Sequence, residues 1–587
     1  MLIRSARTAG GSVYQEMIEG VDRELTEVVE DFDRAMNIEA LHHTKETGEH
    51  SLSQSPEISF STSHVEQAFL LDRLQFVKAG YHQDLRCLEG TRKVLLKKIT
   101  DWVASITPQG DVPHTNTYWI YGLPGIGKTS LAHSICASLH DREQLAGAFF
   151  CRRDDPNLNK PRNILLSLIH QLAVIFPPFR SIVIERLHKD PHVTPGSMKH
   201  TLFLDFICRL PRPPKKPLVF VIDALDECGE TQSRLDVLQA LTDATAEAPW
   251  LKVIITSRPE VDIQHFFDVS SQLSHLRYDL TADKEANSDL QLFAEDRFRR
   301  VVLKRFLQPP WPEQPLFDQV ISRAAGLFIF IETLALALEQ CHDPTELLKA
   351  TLPGSAVHGL TSLYGLYSSI VNALKVQNNG EFRRMISVLL ITAPYRPLCE
   401  ETIAELAGVR ADLVKMWVAN LSSMLYRDEG ASEGIRVRHL SISDFFVSDD
   451  CQANYQVNLR GANVELGVVC LTKMVEQLCF NICKLEDSQL TNDDVKDLPS
   501  RIKENISHTL QYSSLYWSNH LCFTSDTNDR HVWESLRKFF EGPHVLFWIE
   551  VLSVLGMLGT GIASVRRVTL TFVKVSTLAV MVFSRRF

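Results

Sequence analysis

Between Tyr121 and Ser130 the chain reads "YGLPGIGKTS", with Gly122 and Gly127 four residues apart and Lys128 and Thr129 directly after them. This GxxxxGKT spacing suits one chemistry. Glycines let the backbone approach phosphate oxygens and take positive φ. The N–H groups from Gly125 to Lys128 would face a β-phosphate, aided by the dipole of the helix that follows. Lys128 would reach the β- and γ-oxygens, and Thr129 would ligate Mg2+. The candidate nucleotide-binding set is therefore Gly122, Leu123, Pro124, Gly125, Ile126, Gly127, Lys128, Thr129 and Ser130. A chance Gly-rich turn would lack the flanks seen here, an apolar run Tyr118–Ile120 before and the helical pattern 129–140 after.

Two further stretches carry acids and a cation at strand tips. "PLVFVIDALDECGE" (217–230) is an apolar strand ending at Asp223, a carboxylate that would hold Mg2+ directly or through water. Asp226 or Glu227 could orient or deprotonate an attacking water; the residues do not rank the two, and both could instead cap the next helix. "IITSRPE" (254–260) ends a third strand and puts Arg258 where a γ-phosphate would be sensed. The plainer reading of Arg258 is a surface cation paired with Asp226 or Glu227.

These groups need a parallel sheet to bring them together, and the chain has the pattern for one. Short apolar runs at 117–121, 145–151, 217–222, 251–256 and 275–280 alternate with helical stretches such as 162–175 and 232–242. Just before them, Leu95, Ile99 and Trp102 form one face of a helix. Beyond about residue 285 helices dominate, until "MLYRDEGASEGIRVRHL" (424–440) reads as two short strands joined by a Gly-rich turn. Helices before a small hairpin predict a winged-helix module.

At 587 residues the chain is too long for one core, and roughly three or four domains are expected. The net charge of −10 is spread along the chain without a basic block, which argues against nucleic acid as a partner. The first residues lack the apolar core of a secretory signal. The twelve cysteines show no CxxC pairs, and Cys479 and Cys483 read as buried thiols one helical turn apart. A reducing, cytoplasmic setting follows. From Val551 to Val565 the chain is uncharged, shorter than the about 20 residues of a spanning helix, so a packed helix is expected there. Membrane contact through 545–583 is the alternative.

With the three motifs in order, the chain resembles the NACHT family of STAND-type P-loop ATPases, signalling switches related to AAA+ proteins. The likeness is to fungal NACHT proteins that often carry WD repeats, and it runs from about residue 65 to about residue 550. "DALDE" is similar to the family's doubled-acid Walker B motif, and "TSRPE" to its sensor strand. "CLEGTR" (87–92) resembles the segment that lies along the adenine, which adds Arg92 to the cofactor-binding candidates. "AAGLF" (324–328) resembles the GLP-type motif, although Phe328 stands where plant and animal relatives place a Pro. "RHLSISDFF" (438–446) resembles the winged-helix segment whose His contacts the ADP β-phosphate, making His439 the counterpart; a lone His before an apolar helix also has a purely structural reading.

The resemblance implies an α/β P-loop NTPase core of the AAA+/STAND kind, then a helical subdomain, a winged-helix module and further helices. Expected boundaries are an N-terminal helical segment 1–41, a polar linker 42–64, a helical lead-in 65–110 and the NTPase core 111–284. A helical subdomain 285–360, a winged-helix-like module 361–450, a helical region 451–525 and an apolar tail 526–587 follow. No WD, ankyrin, TPR or leucine-rich repeat is visible after residue 525, so either a short family member or a truncated gene model is expected. The implied ligands are ATP or ADP, with GTP left open, and Mg2+. The implied activity is a slow ATPase acting as a switch, which opens and forms homo-oligomers on nucleotide exchange and signals to an effector protein in an NLR-like immune or self/non-self role. The alternative is a nucleotide-locked scaffold that no longer hydrolyses. A small-molecule kinase would need a compact core of about 200 residues, and an AAA+ motor would need a trans Arg finger and a pore loop that are not apparent.

Overall fold

The computed structural model describes residues 70–584 except 72, 73, 75, 106–115, 190–199, 211–213, 270–274, 284, 353–359, 375, 377, 429–433, 487–491 and 525–528. The expected N-terminal helical segment 1–41 and linker 42–64 lie outside the described residues.

The α/β part runs α1 (Lys93–Ala104), β1 (Thr117–Tyr121), α2 (Lys128–Asp141), β2 (Leu145–Phe150), α3 (Pro161–Ile175), α4 (Pro177–Lys189) and α5 (His200–Cys208). It continues with β3 (Leu218–Asp223), a 3-10 turn at Leu225–Glu227, α6 (Thr231–Glu247), β4 (Leu251–Ser257), α7 (Val261–Val269) and β5 (His275–Asp279). The five apolar runs read from the sequence are these five strands. β3 and β4 are buried at every residue because helices cover both faces of the sheet, so the middle of each reads as an unbroken apolar run, Leu218–Ile222 and Val253–Ile255.

Period-two alternation splits their side chains between two layers. Tyr118, Ile120, Val219, Val221 and Ile254 point toward α1 and α2, where Leu95, Ile99, Leu131 and Ile135 await them. Trp119, Phe220, Ile222, Val253 and Ile255 point toward α3 and α6, onto Ile164, Leu168, Leu238 and Leu241.

All pairings in the sheet are parallel, in the order β2-β3-β4-β1-β5. β1 is thus flanked by β4 and β5. The chain leaves it over α2 toward distant β2, while the β4-to-β5 connection passes in the opposite sense. Such a switch point opens a crevice at the carboxyl ends of the strands. The register levels those ends: Phe150 pairs with Asp223, Ile222 with Ile255, and Tyr121 with both Ser257 and Asp279.

Helices then take over: α8 (Ala286–Arg305), α9 (Gln314–Ala324), α10 (Phe328–Gln340), α11 (Pro344–Thr351) and α12 (Leu360–Ala373). Positive φ at Ala325 and Gly326 turns the chain so that α10 starts at Phe328. The winged-helix module comprises α13 (Asn379–Thr392), α14 (Glu400–Ala407), α15 (Ala411–Asn420), an antiparallel hairpin β6 (Leu425–Arg427) and β7 (Ile435–Val437), and α16 (Leu440–Val447). It is followed by α17 (Leu459–Gln477), α18 (Leu498–Asn505), α19 (His508–Leu521), α20 (Arg530–Phe540), α21 (His544–Val554) and α22 (Leu558–Ser584). α17 and α19 lie side by side and both rest on α14.

Two sequence expectations change here. The uncharged run 551–565 is two helices, because Gly556 at φ +67 turns the chain between α21 and α22. α21 is held by the core: Trp548 is fully buried with its Nε1–H on the Ser514 carbonyl, and Glu550 accepts from the N–H groups of Asn481 and Ile482. No described helix is long and apolar enough to cross a membrane. Cys479 and Cys483 are not on a helix, since α17 ends at Gln477 and Asn481 takes positive φ; Cys483 is buried but Cys479 is exposed.

The two-layer core makes a direct prediction. Phe220→Ala removes a fully buried ring from β3 and should cost about 3–5 kcal/mol. Hydrogen exchange of β3 and β4 amides in increasing urea would register it as an earlier opening of the sheet.

Candidate nucleotide site

The phosphate loop sits between the tip of β1 and the start of α2. Gly125 and Gly127 have φ of +79 and +92, a left-handed conformation that side chains resist. The first N–H groups of α2 have no helical acceptors and face the crevice, as an anion requires. A second constraint acts on Gly125. A Cβ there would stand 2.0 Å from Cγ2 of Ile329, because the first turn of α10 presses onto the loop. The Ile329 N–H donates to the Gly125 carbonyl at 3.1 Å, so the helical subdomain is bonded to the phosphate loop itself.

A cavity of ≈ 310 Å³ opens over the loop. Pro124, Gly125, Gly127, Lys128, Thr129 and Ser130 line its floor. Gly122, Leu123 and Ile126 stand behind it and contribute carbonyls: Lys128 Nζ donates to those of Gly122 and Leu123 at 2.8 and 2.9 Å. Burial lowers the Lys128 amine to about 8, although Asp226 nearby works the other way. It remains a cation at neutral pH.

Arg92, Asp226, Glu227, Arg258 and His439 complete the walls of the same cavity. Asp223 lies just beneath. Its carboxylate accepts from the Thr256 hydroxyl and is also hydrogen-bonded by Thr129, while burial raises its pKa. Thr129 and Asp223 therefore meet at one point, from the loop and from the β3 tip. Among the described residues no group of three His, Cys, Asp or Glu side chains could hold a metal ion by itself. Mg2+ needs no such group, since it takes one or two protein oxygens and fills its sphere with phosphate and water. The loop, the buried amine and the Thr129–Asp223 pair fit a Mg2+-nucleotide.

The turn after β3 sets the two acids apart. Ala224 takes φ +53, with its N–H on the Thr256 hydroxyl at 3.0 Å, and sends the chain into the 3-10 turn. Asp226 is buried and accepts from the Arg258 N–H at 2.9 Å, with the Arg258 Nε at 3.4 Å. Arg234 steadies the same turn, donating to the Asp226 carbonyl at 3.2 Å. Glu227 is less constrained: its carboxylate accepts from the Arg153 N–H at 3.3 Å. Burial, then the Asp226 charge, raises Glu227 to about 7, so near neutrality it can both take and give a proton.

Arg258 does more than pair with Asp226. Its Nη1 lies 2.7 Å from the carboxylate of Asp444 on α16. The strand-tip cation is thus shared between the sheet and the winged-helix module. His439 caps α16, and its Nδ1 accepts from the Ser441 N–H at 3.2 Å. Burial, then the charges of Arg258 and Lys128, hold its imidazole down near 3, so the ring is neutral. With Nδ1 accepting, the proton is on Nε2, which makes that nitrogen a donor. His439 Cε1 is 3.8 Å from where a Gly125 Cβ would be, so the ring stands over the loop.

Arg92 is a buttress in the cavity wall. Its Nη2 donates to the Ile126 carbonyl at 3.0 Å, its Nη1 bonds Asp283 at 2.7 Å, and it lies 5.4 Å from the centre of the Phe328 ring. Phe328, opposite Phe293, gives the cavity an aromatic wall, and Leu85, Cys87 and Leu88 give it an apolar edge. The segment 87–92 thus borders the cavity, as does the residue found where relatives place Pro. Ile329, Asp444, Arg153 and Arg234 were not read from the sequence. Asp444 lay within "RHLSISDFF", but nothing in that string pairs it with Arg258 across 186 residues.

Five parallel strands with a phosphate loop after the first, a carboxylate at the tip of the third, and trailing helical and winged-helix parts define a P-loop NTPase fold of the STAND/AAA+ class. Residues 90–258 match the family model described as Nephrocystin 3, N-terminal. No curated protein matches the chain. Among solved structures, one similar to this chain is a STAND protein with a tetratricopeptide repeat sensor from Pyrococcus horikoshii, at 13% identity and TM-score 0.36 over 84% of this chain and 66% of that one. The present chain thus spans slightly less than two thirds of that protein. The Aeropyrum pernix ORC1 protein, solved in complex with DNA, aligns at 14% identity and TM-score 0.28 over 62% of this chain and 94% of its own. Cdc6p from Pyrobaculum aerophilum aligns at 11% identity and TM-score 0.29, over 62% and 93%.

The contact on Gly125 makes the second prediction. Gly125→Ala adds both left-handed strain, about 1–3 kcal/mol, and the clash with Ile329, and should lower the melting temperature and nucleotide affinity together. Adding Ile329→Ala should restore part of the loss, since only the clash is relieved; calorimetric titration and thermal melts of the single and double variants read out the two parts.

Proposed function

We propose that this chain is an ATP/ADP-responsive signalling switch whose closed state is maintained by nucleotide and by the winged-helix module together. The observation that carries this reading is the position of Arg258, bonded to Asp226 on one side and to Asp444 of the module on the other. In the proposed assignment, 111–284 is the nucleotide core, 285–360 the helical subdomain and 361–450 the module that moves.

The loop N–H groups hold the α- and β-phosphates, Lys128 reaches the β-phosphate and, in ATP, the γ-phosphate, and neutral His439 donates from Nε2 to the β-phosphate of ADP. Phe328 and the 85–88 edge receive the base. Thr129 and Asp223 ligate Mg2+, which supplies charge neutralisation to the phosphates. A γ-phosphate offers Arg258 a third anionic partner in competition with Asp444. Only such differential binding can shift a two-state equilibrium. Loss of the Arg258–Asp444 pair frees the module, and opened chains form homo-oligomers that engage an effector. Glu227, poised near neutrality, accepts the proton of the attacking water, and Asp226 fixes Arg258 rather than acting as the base. An NLR-like recognition role in the cytoplasm, with slow turnover, is the biological reading consistent with this mechanism.

Two measurements test it. Denaturing the purified protein should release ADP in near-stoichiometric amount; an empty site with rapid ATP turnover would refute the switch. Glu227→Gln should bind ATP as before, hydrolyse it at least about a hundredfold more slowly, and shift the population toward larger assemblies in light scattering. Bound nucleotide without turnover, and no change of size in Glu227→Gln, would identify the nucleotide-locked scaffold instead.

A further inference from the structure

The segment between β2 and α3 touches both the catalytic acids and the hairpin, and no motif covers it. Cys151 continues the β2–β3 pairing, its N–H on the Asp223 carbonyl at 3.0 Å. Two residues on, the Arg153 N–H is the hydrogen-bond donor to Glu227. The flanking residues are gripped by the winged-helix hairpin. Asp154 receives Arg436 of β7 twice, at its carbonyl (2.6 Å) and at its carboxylate (3.0 Å). Arg152 bonds the same carboxylate at 3.0 Å and the Tyr426 hydroxyl of β6 at 3.4 Å.

Arg436 is an unusual residue for the buried side of a short hairpin. Its side chain is only 6% exposed, and Asp154, Asp428 and Asp155 surround it at 3.0, 2.8 and 4.0 Å. A guanidinium buried among three carboxylates is costly to desolvate and is held only by complete pairing. Taking the hairpin away would leave Asp154 with Arg152 as its remaining cation and expose Arg436. One peptide unit separates Asp154 from the N–H that holds Glu227, so the loop cannot shift at one without shifting at the other.

We propose that Arg436 is a positioning residue for Glu227, acting through residues 152–154. While the hairpin grips Asp154, one oxygen of the Glu227 carboxylate stays occupied by the Arg153 N–H. When the module leaves, the loop relaxes and Glu227 is released to act as the base. This rests on the switch reading above and adds a second line by which the module controls the site: Arg258 reports the γ-phosphate, and Arg436 decides whether the water can be activated.

The test uses the full chain with Arg436→Gln and, because that change disturbs a buried cluster, also Asp154→Asn, which leaves Arg436 its Asp428 partner. Steady-state ATP hydrolysis should rise about fivefold or more in kcat, the lower end of ordinary coupling energies, with KM for ATP within about twofold. In a Glu227→Gln background neither substitution should raise the rate. A merely structural role would lower kcat, raise KM and lower the melting temperature together. That pattern in Asp154→Asn, or an unchanged kcat in a well-folded Asp154→Asn, overturns the proposal. If wild-type turnover is independent of Lys128 and Glu227, the switch reading itself fails; if it depends on both and Asp154→Asn changes nothing, only this inference falls.

Discussion

A single guanidinium sits between two carboxylates that belong to different parts of the chain, and the closed arrangement depends on it. Arg258 is fixed from the sheet side by Asp226, on its N–H and its Nε, and from the module side by Asp444. Neither acid alone would define where α16 lies. With Asp444 paired, α16 places its capping residue His439 over the phosphate loop, and the cavity gains its last wall. The sheet gives this arrangement its reference frame, since the level tips of β1, β3 and β4 put the loop, Asp223 and Arg258 within one crevice.

The electrostatics of that crevice follow from crowding. Burial, and after it the charges of Arg258 and Lys128, keeps the His439 ring neutral, and burial, then the Asp226 charge, raises Glu227 to about 7. Groups with separated proton affinities are thereby available side by side: a fixed cation, a neutral donor and an acid near its midpoint. That division of labour comes from burial and from which neighbour each group faces, and composition carries no trace of it.

What could be read from the chain were features with local causes. The GxxxxGKT spacing, the apolar run ending at Asp223 and the alternation of short strands with helices are each written within about twenty residues, and the described sheet has the strands where those runs lie. Leu95, Ile99 and Trp102 all turn inward on α1, as their spacing requires. The roles of contacts made across the fold were not legible. Ile329 looks like one more residue in an apolar helix, and its approach to Gly125 adds a steric reason for that glycine to the left-handed φ the loop already requires. Arg436 reads as a surface cation in a hairpin, and its burial among acids depends on a loop 282 residues away. The turn at Gly556 divided a run that hydropathy alone presents as continuous.

The two sides of the cavity are joined to the loop by different kinds of bond. α10 is fastened to Gly125 by an apolar contact and a backbone hydrogen bond, neither of which mobile ions weaken. The winged-helix module is fastened by charge pairs, and the Arg258–Asp444 pair is partly open to solvent. Mobile ions screen a contact pair of this kind only weakly, but an anion entering the crevice can compete with Asp444 for Arg258, and no anion competes at the other joint. The molecule therefore has one joint that no anion can contest and one that an anion in the crevice can loosen, while the buried Arg436 cluster keeps its hold on the module.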